Sequence, residues 1–186
     1  MRTKKQWIAN FQQNYILTTF SPRIVNDLKK LDMTFTSQKA ESTFIYGPVQ
    51  TGKTLRAATL MIQDAQYEYL NNRMRGSHVF VSFPYVFAEI RSTFNNPLKT
   101  EAEIMERYLK ADLLTIDDFL TSKPTEWVLD ILYFLINYRY EQLKTTIITS
   151  NLSLPEIEHK LQDQRITSRI NRMCVIEQKT NYHETA

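Results

Sequence analysis

Apolar positions along the chain fall into short runs separated by longer segments of helical spacing. The runs Thr43-Phe44-Ile45-Tyr46, His78-Val79-Phe80-Val81-Ser82-Phe83, Leu113-Leu114-Thr115-Ile116, Thr145-Thr146-Ile147-Ile148-Thr149 and Cys174 to Ile176 are rich in β-branched and aromatic residues and predict five strands. Between them, Leu55 to Leu70 runs without Gly or Pro, and a second helix from Pro84 to about Phe94 is broken by Asn95-Asn96-Pro97. Thr100 and Glu103 predict a capping box for a helix through Lys110, and Pro124-Thr125 open a long apolar helix to about Leu143. Two shorter helices are predicted over Pro155 to Gln162 and Asp163 to Met173. Strands that alternate with helices predict a parallel sheet covered on both faces. Upstream, Trp7, Ile8, Phe11, Tyr15 and Ile16, then Ile24, Val25, Leu28 and Leu31, also keep helical spacing. They predict two helices that either pack on the edge of the core or serve as a docking arm.

Composition narrows the class. A chain of 186 residues with 42% hydrophobic content suits one globular domain with a short appendage. Apolar runs are too short to cross a bilayer, and Arg2, Lys4 and Lys5 precede a mixed stretch rather than a signal-peptide core. The expectation is a cytoplasmic protein with no membrane partner. Cys174 is the sole cysteine, which excludes an internal disulfide and a cysteine-cluster metal site; its apolar strand predicts a buried thiol. His78, His159 and His183 lack metal-ligand spacing and read as incidental. A net charge of +3 is compatible with a nucleic-acid partner without requiring one.

The chain has three glycines, and two of them frame Gly47-Pro48-Val49-Gln50-Thr51-Gly52-Lys53-Thr54. Placed between a predicted strand and helix, this is a phosphate-binding loop, whose backbone N–H groups and helix N-terminus favour an anion. Lys53 would reach the β- and γ-phosphates of a nucleotide such as ATP, and the Thr54 hydroxyl would ligate Mg²⁺. Asp117 ends the third predicted strand, where a parallel sheet presents side chains to its ligand crevice, and supplies a second metal-side group. Asp118 could polarise an attacking water. A solvated acidic turn is the alternative for this pair. Asn151, after Thr149-Ser150, offers an amide able to donate to phosphate and hold a water, though Ser-Asn is also common turn chemistry. Arg165 and Arg169 stand four residues apart, on one helical face. They read either as a solvated basic face or as an arginine finger for a neighbouring subunit's nucleotide.

From about Ser42 to Ile176 the chain resembles the AAA+ ATPase core of the DnaC/DnaI-type helicase loaders and the related IstB transposition ATPases. The resemblance rests on Gly47 to Thr54, Leu113 to Asp118, Ile136-Asn137-Tyr138-Arg139-Tyr140, Thr146 to Asn151 and Arg165 to Ile170. It implies an α/β P-loop fold with a five-stranded parallel sheet in the order 5-1-4-3-2. It also implies Walker A at Gly47 to Thr54, Walker B at Asp117 and Asp118, sensor 1 at Asn151, and a finger at Arg169 with Arg165 as companion. The implied activity is Mg-dependent ATP hydrolysis by a homo-oligomer that grips single-stranded DNA and loads or remodels a replicative helicase. The family often has glycine where Gln50 stands and soon after the acidic pair, where this chain has Phe119-Leu120.

Residues 42–186 would form the ATPase domain, with little length after the last strand for a helical lid, and residues 1–41 a short helical extension, small for a helicase-binding domain. That small size leans towards a phage or mobile-element origin. For DNA, Arg73, Arg75, Arg91 and Lys99 are plausible phosphate contacts, whereas Tyr85 and Phe87 are either base-stacking platforms or core. Three other readings stay open: an IstB-like transposition helper, a reduced adaptor or inhibitor that binds a helicase or loader with little turnover, and a small-metabolite P-loop kinase.

Overall fold

Alternation of side chains along three central strands sets the layering. Phe44, Leu114 and Ile148 face one hydrophobic cluster, whereas their chain neighbours Ile45, Leu113 and Ile147 face another. The computed structural model describes residues 13–30, 36–71, 77–93, 100–120 and 124–180. The strands β1 (Thr43–Tyr46), β2 (His78–Ser82), β3 (Leu113–Asp117), β4 (Thr145–Ser150) and β5 (Val175–Gln178) form one sheet in the order β2-β3-β4-β1-β5. Every pairing is parallel. This is the order 5-1-4-3-2 expected from the resemblance, read from the opposite edge.

Helical residues 13–19 (α1), then α2 (Pro22–Lys30) and α3 (Lys53–Leu70), cover one face. Phe20, Ile24, Val25 and Leu28 bury against Ala57, Ala58 and Met61 of α3. The other face carries α4 (Phe83–Arg91), α5 (Glu101–Lys110), α6 (Glu126–Glu141), α7 (Leu154–Leu161) and α8 (Gln164–Met173). Trp7, Ile8, Phe11, Leu31 and the Asn95-Asn96-Pro97 break lie outside the described residues.

The predicted boundaries move where a local signal competes with burial. Phe83 leaves β2 and joins α4, because Pro84 in the first turn has no N–H to give a ladder and suits a helix start. The last strand runs Val175–Gln178, so Cys174 lies at the end of α8 and its N–H closes on Ile170 O. The thiol is still buried, and burial pushes it up to about 12. The Thr100 and Glu103 capping box forms as predicted. Tyr85 and Phe87 separate: Tyr85 is 57% exposed, while Phe87 packs into the core against Phe83. No helical lid follows β5 among the described residues.

Among the described residues, Arg139 is the largest fully buried side chain. Its Nη1 donates to the carbonyls of Tyr108, Leu109 and Ala111 at 2.8, 3.2 and 2.9 Å, satisfying the end of α5, where a helix leaves its carbonyls unpaired. Nη2 donates to Thr145 O at 2.6 Å and Nε to Thr146 Oγ1 at 2.8 Å. One guanidinium thereby ties α5, α6 and the start of β4 together. Burial lowers its pKa to about 10, which leaves it charged at neutral pH.

Candidate nucleotide-binding site

The sheet register brings three strand ends to one edge. Tyr46 pairs with Ser150, Ile116 with Ile148, and so the P-loop, Asp117 and the end of β4 converge. Gly47 has φ +145°, and a Cβ there would lie 2.0 Å from Lys179 O, whose chain hydrogen-bonds Tyr46 O through the Lys179 N–H at 2.7 Å. Gly52 caps α3 in the left-handed region with no side-chain cap, which leaves first-turn N–H groups to a ligand. Lys53 is buried, and its Nζ donates to Gly47 O at 2.8 Å and Pro48 O at 2.6 Å. Burial lowers the Lys53 pKa, against the opposing pull of Asp118 and Asp117.

Thr54 Oγ1 donates to the Asp117 carboxylate, 3.0 Å from Oδ1 and 3.1 Å from Oδ2. Asp117 is also held by Thr149, whose hydroxyl donates to Oδ1 at 2.6 Å and accepts from the Asp118 N–H at 3.0 Å. One hydroxyl of β4 thus positions both members of the acidic pair. Burial pushes the Asp117 carboxyl above its usual range; the Thr149 bond opposes this, and the neighbouring Asp118 charge adds to it. A hydroxyl beside two carboxylates, one of them buried, is an oxygen donor set suited to a hard divalent cation such as Mg²⁺.

These groups border a cavity of about 390 Å³ lined by Gln50, Gly52, Lys53, Thr54, Asp118 and Asn151, and also by Arg23, Ile24 and Asp27 of α2. The last three were not foreseen, because an amphipathic helix pattern says which face is apolar and nothing about which site its polar face borders. Thr149 escaped as well, since a β-branched residue in an apolar run reads as strand filler.

Gln50 at φ +66° and Leu120 at φ +57° occupy left-handed backbone. Gln50 is one of the two positions where the resemblance leads one to expect glycine and Leu120 belongs to the other, Phe119-Leu120; each conformation costs a non-glycine residue about 1–2 kcal/mol. Leu120 offsets this by burying its side chain completely.

Arg165 and Arg169 share one helical face, as their spacing predicts, and both stack on Tyr133 of α6, at 4.7 and 4.9 Å from the ring centroid. Arg169 also donates from Nε to Asn137 Oδ1 at 2.5 Å and from Nη2 to Tyr133 Oη at 3.1 Å, while Arg165 Nη2 donates to Asp163 Oδ2 at 2.7 Å. Neither arginine lines the P-loop cavity of its own chain. Of the predicted DNA contacts, Arg91 is exposed and lies 5.4 Å from the Trp127 ring centroid; Arg73, Arg75 and Lys99 lie outside the described residues.

Fold and site together define an ATP-binding protein of the AAA+ P-loop class. The profile of the IstB-like ATP binding proteins matches residues 3–176, and the chain belongs to that family. Among curated relatives, the chain is similar to the uncharacterized protein YqaM of Bacillus subtilis (28% identical; 74% of this chain, 42% of that protein). It is also similar to the phage-like element PBSX protein XkdC of the same organism (32% identical; 56% of this chain, 40% of that protein). The chain therefore spans about two-fifths of these relatives' lengths. Among solved structures, the fold is similar to that of the DnaC helicase loader (TM-score 0.65, 18% identity, 87% of this chain and 93% of that one). It is similar also to replication initiator DnaA bound to AMPPCP and single-stranded DNA (TM-score 0.57, 19% identity, 94% and 50%).

Proposed function

We propose that this protein hydrolyses ATP and uses the cycle to load or remodel a replicative helicase on single-stranded DNA. The observation that carries the reading is the split between an assembled P-loop and acidic pair on one side and an arginine held away from that cavity on the other. Such an arrangement makes sense when Arg169 of one copy completes the nucleotide site of the next in a homo-oligomer, where a planar guanidinium stabilises charge on the transferring phosphoryl group. Within one copy, Lys53 would exchange its two carbonyl contacts for phosphate oxygens, and α3 would present its N-terminal N–H groups to them. Asp118 and Asn151, both bordering the cavity, would orient the attacking water. Mg²⁺ held by Thr54 and Asp117 would supply the charge neutralisation that phosphoryl transfer needs.

The DnaC helicase loader and the DnaA complex with single-stranded DNA share this fold, which supports a replication role and a grip on single strands through basic side chains such as Arg91. Residues 42–186 form the ATPase domain in this reading and 1–41 an extension, in the bacterial cytoplasm. The likeness to XkdC supports a mobile-element origin. Membership in the IstB-like family favours a second reading, a transposition helper with a preference for duplex DNA, which affinities for single and double strands with ATP present will separate.

The test mixes two inactive variants. Lys53→Ala abolishes nucleotide binding but keeps the finger; Arg169→Ala keeps binding but lacks the finger. In a one-to-one mixture of a cyclic assembly about a quarter of interfaces pair an intact loop with an intact arginine, so ATPase activity returns to that level. An absence of recovery, or full turnover by Arg169→Ala alone, overturns the proposal.

A further inference from the structure

At the sheet edge opposite the P-loop, a second group of ligand-type side chains comes together. Asp64 and Glu68 lie four residues apart in the distal half of α3 and share one face of it, and His78 opens β2 alongside them. His78 Nε2 stands 3.3 Å from Asp64 Oδ2 and 3.6 Å from Glu68 Oε2. The imidazole is 5% exposed, yet among the described residues Nε2 has no hydrogen-bond partner of acceptable geometry. Nδ1 is already engaged, 2.7 Å from the Tyr15 hydroxyl of α1, and Asp64 Oδ1 accepts from the Ala40 N–H at 2.6 Å.

We propose that Asp64, Glu68 and His78 bind a divalent transition-metal cation of the zinc class. Ligand atoms around a tetrahedral ion with bonds of about 2.0–2.1 Å lie about 3.3–3.4 Å apart; Nε2 already stands 3.3 and 3.6 Å from the two carboxylate oxygens, and the three atoms lie within 4.8 Å of one another. Charge agrees: two carboxylates face an imidazole that is 5% exposed, and a divalent cation is attracted to both. The orientation agrees too. A ligating imidazole uses one nitrogen for the metal while an outer hydrogen bond fixes the other, here through Tyr15, and Asp64 is fixed in the same way through Ala40. A mixed nitrogen and oxygen set selects zinc-class ions over Mg²⁺, which prefers oxygen and retained water. The ion would join α3, β2 and α1, and so pin the amino-terminal segment to the core. His78 reads as incidental in the sequence because its partners lie ten and fourteen residues earlier, on α3, outside any short ligand-spacing motif.

The experiment titrates the full chain, stripped with a chelator, with Zn²⁺ alone while millimolar Mg²⁺ saturates the P-loop side. The expected result is one zinc per chain, a raised melting temperature, and a loss of at least about tenfold in affinity in both His78→Gln and Glu68→Gln. Circular dichroism and ATP binding check that each variant folds, and Glu68→Gln decides if His78→Gln does not. Absence of zinc binding under these conditions, or equal affinity in the folded variants, overturns the proposal and leaves His78 beside Asp64 with no bridging ion.

Discussion

Replacing Thr149 by valine removes one hydroxyl and leaves the shape of a fully buried side chain almost unchanged. That hydroxyl donates to Asp117 at 2.6 Å and accepts from the Asp118 N–H at 3.0 Å. A hydrogen bond to a charged group contributes about 1.5–3 kcal/mol; lost where the acidic pair acts, this lowers kcat by roughly tenfold to a hundredfold. Thr149 does not line the nucleotide cavity, so ATP affinity should change little. The pH profile provides an independent readout. The Thr149 bond holds the Asp117 carboxyl down against the upward push of burial, so its removal makes Asp117 protonate at higher pH. On the proposed mechanism activity needs the carboxylate, so it should fall off sooner as pH decreases, moving the acid limb upward. Steady-state ATPase measurements across pH, with a fluorescent nucleotide for affinity and Thr149→Ser as the control that restores the hydroxyl, decide the matter. Valine and wild-type proteins with equal kcat and coincident acid limbs would refute the reasoning.

Arg139→Ala leaves five acceptors around α5 and β4 without their buried guanidinium, and should destabilise the fold by about 3–5 kcal/mol. At about 2–4 °C per kcal/mol for a chain of this size, the melting temperature drops by roughly 10 °C; a thermal scan that shows no drop contradicts the role assigned to the side chain. Gly47→Ala places a Cβ against Lys179 O in strained backbone, so ATP binding, followed by calorimetry, should be lost together with stability.

Local chemistry made much of the nucleotide site legible in the sequence. Gly47 to Thr54 mark themselves because few residues tolerate the backbone that a phosphate loop needs, and Asp117 announces itself as a carboxylate ending a largely apolar run. The five strands and the Thr100 capping box were likewise local signals, short runs of β-branched and aromatic residues and a four-residue pattern. Tertiary structure alone decided that Thr149 serves both acids, that Arg23 and Asp27 border the nucleotide cavity, and that Tyr133 holds both arginines. Each of those contacts joins side chains far apart in the chain, through sheet register and helix packing, and a one-dimensional pattern carries no record of which polar groups will meet. His78 is the clearest case. Alone it is one histidine in a strand, and only the fold sets its unpaired nitrogen between two carboxylates.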